Sequence, residues 1–348
     1  MKILIVGNLG YVGPSVVKQL RASYPSAILI GFDIGYFAHC LTNVHVLPET
    51  RLDRQIFGDI RNFPGELLQG VDAVVNLAAI SNDPIGNQFE DATMDINFKA
   101  AVALAEKAKE HGVKTFVYAS SCSMYGQADD SARKETDKLN PLTAYARSKV
   151  AAEEALEKLA DSDFAVTCPR FATACGWSDR FRLDLVLNDF VAGALVNKHI
   201  SILSDGTPWR PLISTSDMAR AIEWAAGRSA SHGGSFLAVN AGSNNWNTSV
   251  LDLAEATARV IPGVEITVNQ QAQPDKRSYR ADFSLFEELA PYHQPLASLP
   301  DTVKTMMEAL MEMGFADPDY RNSNLMRLNV INRHLLAGRL HSDLTWVK

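Results

Sequence analysis

The chain is poor in the features that would assign it to several other classes of protein. It has four cysteines in 348 residues, and their spacing matches no metal site. No apolar run approaches the length of a membrane span. The net charge of -7 argues against nucleic acid or an anionic membrane as the main partner. We therefore expect a cytoplasmic protein with reduced cysteines, no bound metal, and neither a nucleic acid nor a membrane as partner.

What the chain does have is a dinucleotide-binding pattern at its start. Lys2–Val6 is a short apolar run typical of a buried parallel strand, too short for a signal peptide, and a helical pattern follows over residues 14–23. Three glycines between them allow a tight turn, a close approach of backbone to phosphate, and packing of helix on strand: Gly7, Gly10 and Gly13. The N-terminus of such a helix binds a pyrophosphate.

An acidic residue follows the second predicted strand. Residues 27–32 form an apolar run, and Asp33 comes directly after it, twenty residues beyond Gly13. A carboxylate here accepts hydrogen bonds from both ribose hydroxyls and repels a 2′-phosphate, so it favours NAD over NADP. The alternative is an ordinary βαβ turn in which Asp33 is only a cap.

Strand and helix patterns then alternate. Strands are predicted at 71–78, 114–120 and 164–168, and long helices at 94–111 and 142–158. Repeated βα units predict an α/β fold, a Rossmann-type doubly wound parallel sheet. Ligands of such sheets bind beyond the carboxyl ends of the strands, where this chain has Ser81, Asn82, Ser121 and Ser123.

The alternation loosens in the second half of the chain, which predicts a smaller, interleaved domain. We expect a dinucleotide-binding domain over residues 1–170, with segments near 190–225 returning to it. A substrate-binding domain would occupy 171–316, and a polar C-terminal extension 317–348. The charged segment 179–184 could reach an anionic substrate or could be a solvated loop.

Tyr145 and Lys149 lie four residues apart on the predicted helix 142–158 and so share one face. A phenol beside an ammonium group is a proton-transfer device, and the positive charge is expected to lower the pKa of Tyr145. The spacing alone could equally belong to a surface helix, so the surrounding motifs must decide.

Those motifs, taken in order, resemble the extended short-chain dehydrogenase/reductase superfamily over residues 2–310. Beside the glycine turn and Asp33, they are Gly58-Asp59-Ile60-Arg61, Asn76-Leu77-Ala78-Ala79, Ser120 to Gly126, and Tyr145-Ala146-Arg147-Ser148-Lys149. Segments 170–176 and 210–217 resemble two motifs of its nucleotide-sugar branch. The resemblance implies that Ser121, Tyr145 and Lys149 are catalytic.

The resemblance also implies the binding residues. Contacts with NAD are expected from Tyr11, Val12, Asp59, Ile60, Leu77, Ala78, Ala79, Asn97, Ser120 and Phe171, together with the three glycines, Asp33, Tyr145 and Lys149. Of the expected substrate residues, Asn188 and Arg210 match substrate contacts of the family, and Thr173 stands where many members have Asn. Ser81, Asn82 and Ser123 are expected from their strand ends, and Arg277 from the fit of a guanidinium to a diphosphate. Three of these have structural alternatives: Arg210 and Arg277 could pair locally, and Asn188 could cap or line a helix.

The function implied is that of an NAD-dependent nucleotide-sugar epimerase, acting at C4 through a transient keto-sugar. A ketoreductase acting on a nucleotide-bound 4-keto sugar is the alternative. A 4,6-dehydratase is disfavoured because that branch has Asp-Glu directly after the catalytic Ser/Thr, where this chain has Cys122 and Ser123. A non-catalytic dinucleotide sensor is disfavoured because such proteins tend to lack the tyrosine or the lysine.

A nucleotide-diphosphate sugar is thus the expected ligand, and the resemblance also implies a homodimer. Helices 94–111 and 142–158 would form a four-helix interface between the two copies. Five alanines of the first helix would allow close packing there: Ala100, Ala101, Ala103, Ala105 and Ala108.

Overall fold

The computed structural model describes residues 1–42, 44–127, 131–272 and 277–348. The strands are β1 (Lys2–Val6), β2 (Ile28–Asp33), β3 (Arg54–Phe57), β4 (Ala73–Asn76), β5 (Thr115–Tyr118), β6 (Ser120–Ser121), β7 (Ala132–Arg133), β8 (Ala165–Phe171), β9 (Thr173–Cys175), β10 (His199–Ile202), β11 (Trp209–Ser214), β12 (Phe236–Ala241), β13 (Asn247–Ser249), β14 (Glu265–Val268) and β15 (Arg280–Ala281).

The helices are α1 (Gly13–Ser23), α2 (Asp83–Gln88), α3 (Glu90–Met94), α4 (Ala101–Glu110), α5 (Ala144–Glu157), α6 (Val186–Val196), α7 (Thr215–Gly227), α8 (Val250–Val260), α9 (Ser284–Leu289), α10 (Leu299–Glu312) and α11 (Arg327–Leu336). A π-helical turn, Asp95–Ala100, joins α3 to α4. In the described ranges, every helix is too short or too polar to span a bilayer.

A parallel sheet forms the centre of the structure. Its strands run in the order β12-β8-β5-β4-β1-β2-β3, and β6 also pairs with β8. Every pairing is parallel. The order reverses between β1 and β4, which opens a crevice at their carboxyl ends. The predicted doubly wound, Rossmann-type sheet is confirmed.

Helices cover both faces of this sheet, which explains why β1 is apolar throughout. Leu4 and Val6 pack in one cluster with the inner faces of α4 and α5. Ile3 and Ile5 point to the opposite face and pack with α1 and α7. A strand buried on both sides needs apolar residues at every position, not at alternate ones.

A third apolar cluster lies beside the sheet and is built from α6, α8, α10 and β10. The chain returns from this region through α7, which packs on α1, and β12, which pairs with β8. Segments near 190–225 were predicted to return to the dinucleotide-binding domain. In this range, α7 packs beside the central sheet, whereas most of α6 packs on α8 and α10 in the third cluster.

The C-terminal extension packs against the dinucleotide-binding half. Ile331 of α11, Leu340 and Leu344 are buried in the cluster that contains β1. Trp346 donates its indole N–H to the carbonyl of Ile34, at 2.8 Å, just beyond β2. The end of the chain is thereby fixed next to the carboxyl edge of the sheet.

The alanines offered for a dimer interface mostly face inward. Ala100, Ala101, Ala105 and Ala108 are at most 5% exposed and pack against the chain's own sheet, and Ala103 alone of the five is exposed. The expectation that these four pack between two copies is therefore wrong, because small side chains are needed where the helix approaches its own core.

Candidate active site

A cavity of about 680 Å³ opens where β1, β4 and β5 end. Its wall includes the glycine turn after β1, the segments that follow β4 and β6, and the start of α5. Most residues predicted to contact NAD line it: Gly7, Gly10, Tyr11, Val12, Gly13, Asp33, Asp59, Ile60, Leu77, Ala78, Ala79, Ser120, Tyr145, Lys149 and Phe171. Their contacts with NAD stay predictions.

The glycine turn is shaped for a close approach of backbone. Gly7 has φ +87°, and a Cβ there would lie 2.5 Å from the Ala78 nitrogen. A Cβ on Gly13 would lie 2.0 Å from the Asn8 carbonyl oxygen. Within the described chain, no side chain caps the N-terminus of α1. Since Val12 and Gly13 line the cavity, the positive end of the helix dipole lies at its wall, and this cradle fits the pyrophosphate of a dinucleotide.

Asp33 ties the second strand to the glycine turn. Its Oδ2 accepts the N–H of Leu9 at 2.9 Å, and its Oδ1 accepts the N–H of Gly35 at 2.7 Å. Burial raises the pKa of Asp33 above its ordinary value, while the two backbone N–H groups lower it. The carboxylate lines the cavity with lone pairs left for further donors, as the predicted ribose contact requires.

The cap of α5 sets the position of the Tyr145 side chain. Thr143 accepts the N–H of Ala146 at 3.2 Å through its Oγ1, which starts the helix just before Tyr145. Ser121, at the end of β6, hydrogen-bonds Tyr145 and also accepts the N–H of Ser123 at 3.2 Å. A helix cap and a strand end thus bring phenol and hydroxyl together in the cavity.

Lys149 lies one turn further along α5 and is 2% exposed. Its Nζ donates to the carbonyl of Ala119 at 2.6 Å and lies 4.3 Å from the centre of the Tyr118 ring. The same nitrogen is 5.6 Å from the centre of the Tyr145 ring. The structure therefore brings together all three residues predicted to be catalytic.

The pKa values of this pair are set by burial. Burial raises the pKa of Tyr145 to about 12, and the hydrogen bond with Ser121 lowers it only in part. Burial also lowers the pKa of Lys149 to about 7. The expectation that Lys149 lowers the pKa of Tyr145 is thus wrong for this structure, because desolvation of the phenolate outweighs the distant ammonium. At neutral pH, Tyr145 holds its proton and can donate it.

Asn97 supports the site from behind and does not line the cavity. It lies in the π-helical turn and is fully buried. Its Oδ1 accepts the N–H of Ile80 at 2.8 Å, and its Nδ2 donates to the carbonyl of Ile80 and to Ser148 Oγ. This amide holds the chain after β4 against α5, so we assign it a positioning role.

The charged segment 179–184 is a buried wall, not a solvated loop. Arg182 pairs with Asp184 at 2.6 Å and donates to Ser81 Oγ at 3.0 Å. Asn82 also donates to Asp184, at 2.5 Å. All four side chains line the cavity. Arg182 and Asp184 were not predicted as site residues, although the density of charge in this short segment was a signal.

The other predicted substrate residues divide into two groups. Ser123, Thr173, Arg210 and Arg277 line the cavity, and Arg277 pairs with Asp83 at 2.8 Å. The hydroxyl of Ser123 is buried and has no hydrogen-bond partner among the residues that the structure describes. It is therefore ready to bond a ligand.

Asn188 is fully buried and absent from the cavity wall. Its Oδ1 accepts the N–H of Gly176 at 3.0 Å, and its Nδ2 donates to Tyr11 Oη and to the carbonyl of Arg182. The amide is occupied by protein groups, so the structure favours the alternative of a structural asparagine over a substrate contact.

The lowered pKa of Lys149 predicts a pH-dependent stability. Between about pH 7 and about pH 10 the unfolded chain holds a proton on this lysine that the folded chain has lost. Stability from this group therefore rises with pH across that window. Relative to Lys149→Met, we expect the wild-type free energy of unfolding to rise by roughly 2–4 kcal/mol.

Urea unfolding at a series of pH values measures this difference. Lys114→Met is the matched control, because Lys114 is exposed just before β5. It should leave the pH dependence of the free energy of unfolding as in the wild type. A difference between wild type and Lys149→Met that stays flat with pH would contradict the assignment of a neutral, buried amine.

Comparison with known proteins agrees with this geometry. A profile of the NAD dependent epimerase/dehydratase family matches residues 3–242. The Bacillus subtilis protein described as "Uncharacterized UDP-glucose epimerase YtcB" is 30% identical over 240 residues, which cover 66% of this chain and 73% of that protein. The dTDP-glucose 4,6-dehydratase of Streptomyces griseus is 26% identical over 230 residues, 64% of this chain and 68% of that protein.

A solved structure, MoeE5 in complex with UDP-glucose and NAD, superposes with a TM-score of 0.74 at 26% identity, covering 90% of this chain and 99% of that one. The matched family region contains the glycine turn, Asp33 and the Ser121, Tyr145 and Lys149 set. NAD is the cofactor that this cradle accepts. The chain therefore belongs to the NAD dependent epimerase/dehydratase family and is an enzyme of the extended short-chain dehydrogenase/reductase type.

Proposed function

We propose that this enzyme is a nucleotide-sugar epimerase that inverts C4 through a transient keto-sugar. The observation that carries the proposal is the convergence of Ser121, Tyr145 and Lys149 beside the cofactor cradle, with no acid pair next to Ser121. Bound NAD would supply the hydride acceptor, so the chain itself must bind the sugar and move one proton.

Tyr145 would move that proton. The phenol would first release its own proton, which a positive charge beside it favours. The phenolate Oη would then take the proton of the C4 hydroxyl and later return it to the keto oxygen, and the raised pKa of Tyr145 favours holding the proton in between. Ser121 would donate a hydrogen bond to the same sugar oxygen. Lys149, held by the carbonyl of Ala119, would fix the geometry, and its protonated form would add positive charge beside the phenol.

The substrate side of the cavity suits a nucleotide diphosphate. Arg182, Arg210 and Arg277 contribute to its wall, and planar guanidinium groups match phosphate oxygens. The hydroxyl of Ser123 is placed to bond a sugar hydroxyl. One relative is described as a UDP-glucose epimerase and a similar structure contains UDP-glucose, which makes UDP-sugars the first substrates to test.

Elimination of water is disfavoured by the side chains that follow Ser121. Cys122 is fully buried, donates its thiol to the carbonyl of Arg170 at 3.0 Å, and has its pKa raised by burial. Neither this thiol nor the hydroxyl of Ser123 can replace two carboxyl groups as acid and base at neutral pH. This separates the proposal from the dehydratases among its relatives.

A panel of UDP- and dTDP-sugars tests the proposal. A true ligand raises the melting temperature by mass action, and proton NMR of the stabilising sugars would show inversion at C4 without added cofactor. The protein should also carry bound NAD(H) after purification. A protein that arrives cofactor-free and consumes NADH with a nucleotide-bound 4-keto sugar would instead establish the ketoreductase.

We also propose a homodimer formed through the outer faces of α4 and α5. Those faces include Ala103, Glu106 and Glu154, all exposed in one chain. Light scattering measures the mass directly, and a monomer at micromolar concentration would exclude this interface.

A further inference from the structure

We propose that Arg327, from the C-terminal extension, is a cofactor-binding residue that pairs with the diphosphate of NAD. The residue lies outside the segment 3–242 that matches the family. The proposal does not depend on which sugar reacts or on which carbon.

Arg327 begins α11 and lies in the wall of the cavity while being only 2% exposed. Its Nη2 donates to the carbonyls of Arg180 and Phe181, at 2.6 and 3.1 Å. The guanidinium lies over the Phe37 ring, with its carbon 5.0 Å from the ring centre. The side chain is thus held in one orientation by groups that carry no negative charge.

The neighbouring arginines already have their counter-charges. Arg180 pairs with Glu49 at 2.7 Å, and Arg182 pairs with Asp184 at 2.6 Å. For Arg327, no carboxylate lies within 4.0 Å among the described residues. Burial, together with the charges of Arg182 and Arg180, lowers its pKa to about 10, although the more distant Asp184 opposes this. A buried cation without a counter-charge is destabilising, so this position favours an anion.

The anion that fits is the diphosphate in the adjacent cradle. Arg327, Phe37 beneath it and Tyr11 of the glycine turn all line this cavity, and Phe37 follows β2, whose end is expected to bind the ribose. Arg327 and the residues at the N-terminus of α1 line the same cavity. Two positive groups in the wall of one cavity suit a doubly charged diphosphate.

The rest of the extension holds Arg327 in place. Ile331 of the same helix also lines the cavity. Trp346 donates a hydrogen bond to the carbonyl of Ile34, another residue of the cavity wall. The cation is preorganised by buried contacts, so little ordering cost remains when the diphosphate binds. The consequence is slow release of NAD, which suits an enzyme that reuses one cofactor molecule.

The test compares ligands that differ only in the diphosphate. Bound NAD is displaced from the purified holoenzyme with ADP and, separately, with adenosine, and the ratio of their displacement constants is measured. For Arg327→Met, we expect the advantage of ADP over adenosine to fall by about 10- to 100-fold, because a charge-assisted hydrogen bond is lost. The same substitution should raise the rate at which NAD is released on dilution.

Arg333→Met is the matched control, since this arginine is exposed on the same helix, and it should leave the ratio unchanged. Arg327→Gln keeps a donor for the two carbonyls while removing the charge, so it should fold and show the same loss. If the ratio is unchanged in Arg327→Gln, whether both ligands keep their affinity or both lose it equally, the proposal is overturned and Arg327 has a structural role only.

Discussion

Tyr145→Phe should lower kcat by about 10²- to 10⁴-fold, the range that positioned general acid–base groups contribute. The substitution removes one oxygen from a partly buried ring in the cavity wall and keeps the rest of the side chain. That oxygen is the group that hydrogen-bonds Ser121 and has its pKa raised to about 12. The content of bound NAD should stay close to the wild-type level, because the glycine turn, Asp33 and Lys149 are unchanged and the phenylalanine keeps the ring.

Tyr292→Phe is the matched control, since Tyr292 is 87% exposed and lies outside the cavity wall. It should leave kcat unchanged. Turnover assays, together with the absorbance of NAD released on denaturation, measure both effects. Retained turnover in Tyr145→Phe, with NAD still bound, would mean that another group moves the proton.

Gly7→Ala should abolish NAD binding and lower the free energy of unfolding by about 3 kcal/mol or more. Two effects add at this position. The positive φ of +87° costs any L side chain, and the new Cβ would lie 2.5 Å from the backbone nitrogen of Ala78. Because Gly7 and Ala78 both line the cavity, relief of this clash must move the turn that faces the cofactor.

Gly70→Ala separates the two effects. Gly70 also has a positive φ, +66°, but a Cβ there would meet no atom within 4 Å. Its expected cost is about 1 kcal/mol, from backbone strain alone, with full NAD content. Thermal or urea unfolding of both variants gives the comparison. If the two variants lose the same free energy of unfolding, the glycine turn tolerates a side chain and the clash with Ala78 is relieved without cost.

Local patterns predicted the parts of the site that depend on local structure. The apolar strand, the glycine turn and the four-residue spacing of Tyr145 and Lys149 are each written in a few consecutive residues. Regular secondary structure then places them, because parallel strands bring their carboxyl ends to one edge. The family resemblance added Ser121, which a strand end alone would not have distinguished from Ser123.

The residues that the sequence did not reveal are those placed by long-range packing. Arg182 and Asp184 belong to an irregular segment with no periodicity, and Arg327 reaches the cavity only because the extension folds back. Burial is likewise a property of the whole fold. The sign of the pKa shift of Tyr145 was therefore wrong from sequence, since it depends on how completely the phenol is desolvated.

The most direct test of the account is to follow a UDP-sugar deuterated at C4 with the purified enzyme and no added NAD or NADH. We predict inversion at C4 with the deuterium retained on the product carbon, because the same enclosed cofactor accepts and returns it. No inversion anywhere in the UDP- and dTDP-sugar panel, loss of deuterium to the medium, or turnover that requires NADH would contradict an epimerase that works through one retained cofactor.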